Sequence, residues 1–235
     1  DTTAPTGVPT IAWLHDDVLG GTSTLTSSGA FTNDANLRTR VSLVGTNAVA
    51  GDSVNMYRDG TTLVGTVTLT STDITAKYAQ FDVDELPPGL HSLTAKVSDA
   101  AGNLSQASAA FDITVDIAAP NAPSIVSVTD DVGGTTGPIN SGGTSDDPNP
   151  TVRISLQGTN AALGDKAYLY STVVGTTSIA SATLVQQDLD NGYVDVTPTN
   201  ALSSGQHSFT AKLIDRAGNT SPASEAHTVT LVLDS

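Results

Sequence analysis

The stretch HSLTAKVSDAAGN (91–103) recurs as HSFTAKLIDRAGN (207–219), and nine of the thirteen positions are identical. In both copies apolar residues alternate with polar ones after the first histidine. This alternation is typical of a β-strand with one buried and one solvated face. The Asp, Gly and Asn that close each copy are typical of a turn. The stretch therefore predicts an antiparallel strand that ends in a tight turn, and the chain contains it twice.

The duplication extends through most of the chain. The segment VSLVGTNAVAGDSVNMY (41–57) matches ISLQGTNAALGDKAYLY (154–170), and DTTAP (1–5) matches DIAAP (116–120). Corresponding positions are 113–116 residues apart, which is much longer than the roughly 20–50 residues of a solenoid repeat. The pattern therefore indicates two complete domains in tandem. The predicted domains are 1–115 and 116–235.

The end of the chain resembles the end of its first half. The chain closes with VTLVLDS, in which Asp234 takes the position that Asp116 holds after FDITV. Because Asp116 opens the second domain, the same residue near the end suggests that a third domain begins there. We therefore expect this chain to be a segment of a longer array.

Each domain is predicted to be all-β. Gly, Pro, Asn and Asp separate runs with a period of two, and no run of useful length has a helical period. About seven short strands in each domain indicate two tandem immunoglobulin-like β-sandwich domains. The chain has no cysteine, which excludes the disulfide-linked variety. In the first domain the expected strands are 10–14, 38–44, 53–57, 63–69, 78–83, 91–99 and 109–115.

The composition is strongly acidic. Nine Lys and Arg face 24 Asp and Glu, which gives a net charge of −15. This charge disfavours nucleic acid and anionic membrane surfaces as partners, and no apolar run approaches the 18 or so residues of a membrane span. No hydrolase, zinc-protease or nucleotide-binding motif is present. We therefore predict a monomeric protein that is not an enzyme and does not insert into membranes.

Several motifs resemble those of one known family. They are LPPGLHSLTAKVSDAAGNLS (86–105), TND (32–34), GD (51–52) and the Asp-x-x-Ala-Pro openings of both domains. Together they resemble the bacterial Ig-like repeats of giant type I-secreted RTX adhesins of the BapA/LapA type. The resemblance implies export in the unfolded form, folding at the bacterial cell surface, and calcium at and near domain junctions. It also implies a spacer whose partners are neighbouring repeats, while other domains bind a host or biofilm ligand.

The first candidate calcium site lies where each domain begins. Strand alternation places the turn after the duplicated strand beside the residue that opens the domain. Asp99 continues the inward face of its strand, and a carboxylate there needs a partner, such as calcium with its six to eight oxygen ligands. The alternative is that Asp99 caps its own turn. The candidate ligands are Asp1, Asp99 and Asn103 in the first domain and Asp116, Asp215 and Asn219 in the second.

The second candidate calcium site lies at the opposite end of each domain. Adjacent carboxylates there repel each other unless water or a cation separates them, and the arrangement occurs in both domains. The candidate ligands are Asp16, Asp17 and Asp34 in the first domain and Asp130, Asp131 and Asp147 in the second. By contrast, we interpret DLDNGYVD (188–195) as a turn that has no counterpart in the first domain.

Histidines and aromatic residues bear on the remaining functional question. His91 and His207 face inward after a loop glycine, so we predict a structural hydrogen bond to the preceding loop. A domain that binds a glycan or a protein receptor directly would commonly show clustered Trp and Tyr. Trp13 lies within a strand pattern, and Tyr168 and Tyr193 have no match in the first domain. A spacer is therefore the favoured function, and a direct ligand-binding module remains the alternative.

Overall fold

The chain forms two compact units, Asp1–Ala118 and Ala119–Ser235. A computed structural model describes residues 2–18, 23–134, 136–172, 175 and 177–233. Within these residues, no helix is long and apolar enough to span a membrane. Each unit has its own buried core, and each is described by itself below.

The described part of unit 1 contains nine strands and one short helix. Their order follows the alternation of apolar and polar residues, interrupted by Gly, Asn and Asp. The elements are β1 Thr10–Asp16, β2 Ser23–Leu25, β3 Ala30–Thr32, β4 Arg38–Ser42, β5 Ser53–Arg58, β6 Thr62–Thr68, α1 Ser71–Ala76, β7 Tyr78–Asp82, β8 Gly89–Ser98 and β9 Phe111–Val115.

Two sheets pack face to face in unit 1. One has the order β2-β1-β4-β7 and the other β3-β9-β8-β5-β6. All neighbouring strands are antiparallel except β3 and β9, which are parallel. Leu14 of β1, Val41 of β4 and Leu93 of β8 are fully excluded from solvent between the sheets. Burial of each such side chain contributes about 1.5–3 kcal/mol, so the inward rows hold the sandwich together.

Unit 2 repeats this architecture with the same strand pairing. Its sheets have the orders β11-β10-β13-β16 and β12-β18-β17-β14-β15, and β12 runs parallel to β18. The elements are β10 Ser124–Asp130, β11 Gly137–Ile139, β12 Gly143–Ser145, β13 Thr151–Ser155, β14 Lys166–Ser171, β15 Ser178–Thr183, α2 Gln186–Asn191, β16 Tyr193–Val196, β17 Gly205–Ile214 and β18 His227–Leu231.

Two short helices correct the sequence-based interpretation. The stretch 188–195 was predicted to be a turn without a counterpart, but its first four residues end helix α2. Gly192 then adopts a left-handed conformation (φ 74°), and Lys77 does the same after α1 (φ 60°). The helices are therefore counterparts. Tyr193 follows α2 as Tyr78 follows α1, so the prediction that Tyr193 has no match was wrong.

A bulge in β1 decides which side chains of that strand face outward. The pairing of β1 with β4 shifts between Ile11 and Trp13. Ile11 and Leu14 both pack against the core, whereas Trp13 is half-exposed and has Arg40 as its partner on β4. Strict alternation would put Ile11 and Trp13 on one face, so the bulge moves Trp13 to the outer face. Strand β10 has a bulge at the equivalent position.

Candidate functional sites

Asp99 closes the turn after β8 in unit 1. Its Oδ1 accepts hydrogen bonds from the backbone N–H groups of Ala101 (3.0 Å) and Asn103 (2.8 Å). Its Oδ2 accepts one from the side-chain amide of Asn103 at 2.8 Å. The Asn103 amide, together with these backbone donors, holds the pKa of Asp99 below its usual value. Asp99 therefore caps its own turn, which is the alternative that the sequence left open.

In unit 2 the carboxylate of the equivalent turn interacts electrostatically with a second one, that of Asp165. Asp215 accepts hydrogen bonds from the backbone N–H (2.9 Å) and side-chain amide (2.8 Å) of Asn219. Burial raises the pKa of Asp165, just before β14, and the charge of Asp215 adds to the rise. Asp52 lies just before β5 in unit 1 in the same way. The sequence-based prediction omitted Asp52 and Asp165, although a GD dipeptide marks both positions.

An open cleft of about 530 Å³ lies beside the turn of unit 1. Thr3, Pro5, Asn47, Asp52 and Asp99 are among the residues that line it. The start of the chain therefore approaches the turn after β8, as strand alternation predicts. The candidate ligand Asp1 lies outside the described residues.

At the opposite end of unit 1, Thr32 joins two buried carboxylates. Its hydroxyl donates to Asp16 Oδ2 at 2.7 Å and accepts from the backbone N–H of Asp34 at 3.1 Å. The Asp34 carboxylate accepts from the backbone N–H groups of Asp17 (3.3 Å) and Asn36 (2.7 Å). The structure thus brings together all three residues predicted for this end of the domain.

The electrostatics of this cluster oppose ionisation of its central carboxyl group. Burial raises the pKa of Asp16, and hydrogen bonds from the Thr32 hydroxyl and the Val18 N–H oppose this rise. The charges of Asp34 and Asp17 raise it further. A cation at this position would favour the ionised form, because an opposite charge nearby stabilises a carboxylate.

Unit 2 repeats the cluster with serine in place of threonine. The Ser145 hydroxyl donates to Asp130 Oδ2 at 2.6 Å and accepts from the backbone N–H of Asp147 at 3.0 Å. The backbone N–H of Asp131 donates to Asp147 Oδ2 at 3.4 Å. The three predicted residues of this end therefore also meet in unit 2.

Asp146 adds a carboxyl–carboxyl contact to the cluster of unit 2. Its side chain interacts with that of Asp130, and both line a cleft of about 390 Å³. Two carboxylates this close repel each other, whereas a cation between them favours the ionised form of both. Burial alone would raise the pKa of Asp130, but donors that include the Ser145 hydroxyl and the Val132 N–H outweigh it, so this pKa is lower than usual.

Asp116 makes its contacts at the same end of unit 1. Its backbone N–H donates to the carbonyl of Thr32 at 2.8 Å. In unit 2 the N–H of Val232 donates to the carbonyl of Ser145 at 2.9 Å. Val232, and not Asp234, therefore holds the position of Asp116, so the prediction made for Asp234 was wrong. Asp234 itself lies outside the described residues.

The donor atoms at both ends are oxygens, which suit calcium better than zinc. Among the described residues, no group of three or more His, Asp or Glu side chains is arranged to hold a metal ion. A calcium ion would therefore need further oxygens from amides, carbonyl groups or water. One such oxygen is orphaned: the Oδ1 atom of Asn33, between Thr32 and Asp34 in the chain, is buried and makes no hydrogen bond. The grouping of Asp116 with Asp215 and its amide partner stays a prediction.

The two equivalent histidines make the same hydrogen bond to the preceding loop. His91 Nε2 lies 2.6 Å from the carbonyl oxygen of Pro87, and His207 Nε2 lies 2.8 Å from that of Ser203. These contacts confirm the predicted structural role. A carbonyl only accepts, so Nε2 carries a proton in both units. The other ring nitrogen, Nδ1, faces a different partner in each unit, Asp59 in unit 1 and Ser171 in unit 2.

Arg40 and Arg153 occupy equivalent positions on the outer faces of β4 and β13. The guanidinium carbon of Arg40 lies 3.5 Å from the ring centroid of Tyr78, and that of Arg153 lies 3.7 Å from that of Tyr193. Arg40 also lies 5.7 Å from the ring of Trp13. These cation–π contacts fix both arginines in place. The sequence-based reasoning missed this group, because its members come from three separate strands.

The chain matches no protein-family model and no curated protein. Among solved structures it is similar to the fibronectin(III)-like modules of Clostridium thermocellum CbhA, with a TM-score of 0.55, 11% identity and coverage of 94% of each chain. It is also similar to the FN1–FN3 domains of chicken CNTN1, with a TM-score of 0.52 and 14% identity over 97% of this chain and 66% of that chain. At these identities the similarity concerns the fold alone.

The fold and the comparisons together define the class of the protein. The chain contains two tandem β-sandwich domains of the immunoglobulin and fibronectin type III kind, which confirms the predicted fold class. One fold hosts many functions, so the sites described above must decide the function.

Proposed function

We propose that the two units form a calcium-stabilised extender segment of a large bacterial cell-surface adhesin. One observation carries the proposal: the same carboxylate cluster is built at the same end of both sandwiches, around Thr32 in unit 1 and Ser145 in unit 2. A spacer needs an identical stabilising device in each unit, whereas a receptor site is needed only once. The motif resemblance to type I-secreted adhesins supports the same role.

Calcium would act on a specific electrostatic problem in each cluster. In unit 1 the pKa of Asp16 is raised by burial and by its acidic neighbours. In unit 2 the carboxyl groups of Asp130 and Asp146 are in contact. Oxygens of Asp16, Asp34 and Asn33 in unit 1, and of Asp130, Asp146 and Asp147 in unit 2, would bind the ion. Its charge would reduce the repulsion between the carboxylates of each cluster on a chain of net charge −15.

The same chemistry would couple folding to export. In each cluster the ligands fall in two groups on either side of a loop. An unfolded chain therefore presents no assembled site, and binding stabilises only the folded state. Sites with dissociation constants of roughly 10⁻⁴–10⁻³ M suffice for extracellular modules. The extender would therefore fold after type I secretion, at the bacterial cell surface. Its partners would be neighbouring repeats of the same polypeptide, while other domains bind the host or biofilm ligand.

The experiment compares the full chain with millimolar calcium and with a chelator, by thermal unfolding and by small-angle scattering. Calcium should raise the melting temperature of both units and increase the maximum dimension of the chain. Asp130→Asn should abolish the calcium-induced rise for unit 2 and leave that of unit 1. Asp190→Asn, which removes an exposed carboxylate of α2, is the matched control. Unchanged melting temperature and unchanged dimensions would overturn the proposal.

A further inference from the structure

The outer face of the four-stranded sheet of unit 1 presents a cation between aromatic rings. The register places Trp13 of β1, Arg40 of β4 and Gln80 of β7 side by side in one row. The guanidinium of Arg40 leans over Tyr78 and lies 5.7 Å from the centre of Trp13. All four side chains are half-exposed, so the group is open to solvent on one side.

Among the described residues, Arg40 finds no acceptor for its Nε–H. This group is buried, and the guanidinium forms no ion pair with any of these residues. In unit 2 the equivalent arginine has a carboxylate partner. Arg153 donates from Nε and Nη2 to the two carboxylate oxygens of Asp195, both at 2.8 Å. Unit 1 has Gln80 in place of Asp195, so the carboxylate is missing while the arginine and its tyrosine remain.

We propose that Arg40 binds the carboxylate of a uronic-acid sugar, whose ring packs against Trp13. The carboxylate would take the place that Asp195 fills in unit 2, with the same two-pronged geometry that arginine favours. Binding requires the guanidinium of Arg40 to rotate so that its Nε–H, which is buried here, meets the carboxylate. The inference goes beyond the extender role and does not depend on it.

The charges and the size of the surface favour a sugar acid over a protein. Arg38 lies two residues away on the same face, opposite Asp82 of β7, and forms no ion pair with a described residue. Two arginines therefore outnumber one carboxylate in this patch, on a chain of net charge −15. Its neighbours His15 and Thr24 are polar, whereas a protein interface needs about 800 Å² with an apolar centre. A patch of two arginines and one flat ring matches a single acidic sugar residue. The whole-chain repulsion acts weakly across such a patch, because physiological salt screens charges over about 8 Å.

The binding experiment uses the tryptophan itself as the reporter. Trp13 is the only tryptophan of the chain, so its fluorescence in the full chain reports on this surface alone. Oligogalacturonate is the probe, neutral galacto-oligosaccharide is the uncharged control, and a poly-aspartate peptide tests an acidic protein as the source of the carboxylate. Oligogalacturonate should change the fluorescence with saturation, and the other two should not. Absence of saturable change, or equal binding of the peptide, would overturn the proposal.

Two variants connect the binding to the inferred contact. Gln80→Asp supplies the carboxylate internally, as in unit 2, and should weaken oligogalacturonate binding at least about tenfold while the melting temperature is retained. Gln80→Asn, which keeps an amide, is the matched control and should bind as the parent does. Binding unchanged in Gln80→Asp would overturn the proposal. Because Gln80 belongs to neither calcium cluster, calcium-dependent stability should be the same in both variants. A failure of this proposal is therefore distinguishable from a failure of the extender.

Discussion

The two units place equivalent histidines in equivalent positions and surround them with different chemistry. In unit 1 the Nδ1 atom of His91 faces the carboxylate of Asp59 at 3.3 Å, and Asp59 is 52% exposed. In unit 2 the Nδ1 atom of His207 faces the hydroxyl of Ser171 at 2.9 Å, and both are buried. Nε2 donates in both units, so the two histidines differ in what faces Nδ1: a carboxylate in unit 1 and a hydroxyl in unit 2.

This comparison separates the contacts that the backbone register determines from those that the residue type determines. The hydrogen bond from Nε2 to a loop carbonyl is the same in both units because β8 and β17 present their histidines in the same register. The partner on the neighbouring strand end is a charged side chain in one unit and a neutral one in the other. The arginines on the outer faces differ in the same way. Backbone register thus sets where two side chains meet, while the residue type sets how strongly they interact.

The largest expected difference between the units concerns the histidines. His207→Ala should destabilise unit 2 by about 3 kcal/mol, because a buried hydroxyl and a carbonyl lose their partner and the ring stacked on Phe209 leaves a void. His91→Ala should destabilise unit 1 by about 1–2 kcal/mol, since water can replace the ring at the exposed Asp59. Native-state hydrogen exchange on the full chain measures each unit separately. Equal losses in the two units would show that the exposed partner of His91 has no bearing on its contribution.

A smaller difference concerns a glycine of β6 and the ring above it. A Cβ atom on Gly65 would lie 3.0 Å from the Phe81 ring and 3.3 Å from the carbonyl oxygen of Asp82. Unit 2 has Ala180 and Val196 at the equivalent positions. Gly65→Ala should therefore destabilise unit 1 by about 1–2 kcal/mol through overpacking.

The double variant Gly65→Ala/Phe81→Val reproduces the pair of unit 2. Its loss of stability should be smaller than the sum of the two single losses, because removal of the ring makes room for the new methyl group. Chemical denaturation of the three variants measures this coupling. Additive losses would contradict the proposed contact between the two positions.

Acid should affect the two carboxylate clusters in opposite directions. The raised pKa of Asp16 means that its ionisation opposes folding, an effect present above its folded pKa and relieved as the pH falls through that value. The lowered pKa of Asp130 means that its ionisation favours folding, a contribution present above the ordinary value of 3.8 and lost as the pH falls through the lower folded value.

Asparagine variants measure this difference in calcium-free buffer. At neutral pH, Asp130→Asn should cost unit 2 about 1 kcal/mol through its lost charge-assisted hydrogen bonds, whereas Asp16→Asn should cost unit 1 less. The difference between the stability losses of the two variants should become smaller at a pH of about 3, where the parent carboxyl groups approach the protonated form. Hydrogen exchange at both pH values provides the measurement. An equal difference in stability loss at neutral and acidic pH would refute the assigned pKa directions.

The smallest expected effect concerns the start of the two helices. Thr70 caps α1 by accepting a hydrogen bond from the backbone N–H of Asp73, whose carboxylate accepts one from Thr70 in return. Val185 precedes α2 and offers no acceptor, although Asp188 still accepts from its backbone N–H. Val185→Thr should therefore stabilise unit 2 by about 0.5–1 kcal/mol, and Thr70→Val should cost unit 1 the same amount. Thr70→Ser retains the hydroxyl and should leave the melting temperature of unit 1 unchanged.

The strands were predictable because a period of two is a local property of the sequence. The six-residue helices were not, because one and a half turns are too short to show a helical period, even though Thr70 and Asp73 have the spacing of a capping box. The three-residue strands β2 and β3 were missed because each carries too few residues to alternate. The seven longer strands were sufficient to predict the sandwich fold.

The candidate sites were predictable to a smaller extent. The clusters around Asp16 and Asp130 were found because duplicated acidic pairs mark both in the sequence. The contact of Arg40 with Trp13 and Tyr78 was not predicted, because it depends on the register of three strands and on the bulge after Ile11. The position of Asp116 depends in the same way on the parallel pairing of β3 with β9, which no local pattern indicates.

That parallel pairing has a mechanical consequence. Strand β9 leads out of unit 1 at its carboxyl end, and its neighbour β3 runs in the same direction, linked through backbone hydrogen bonds from Gly29 to Asp116. While β3 stays anchored in the sandwich, a pull on the exit of β9 acts along the two strands and loads these bonds together in shear. Bonds loaded together must break together, whereas an antiparallel hairpin pulled from its open end unzips one bond at a time. The short strand β3 therefore acts as a latch under tension, and unit 2 repeats it with β12 and β18.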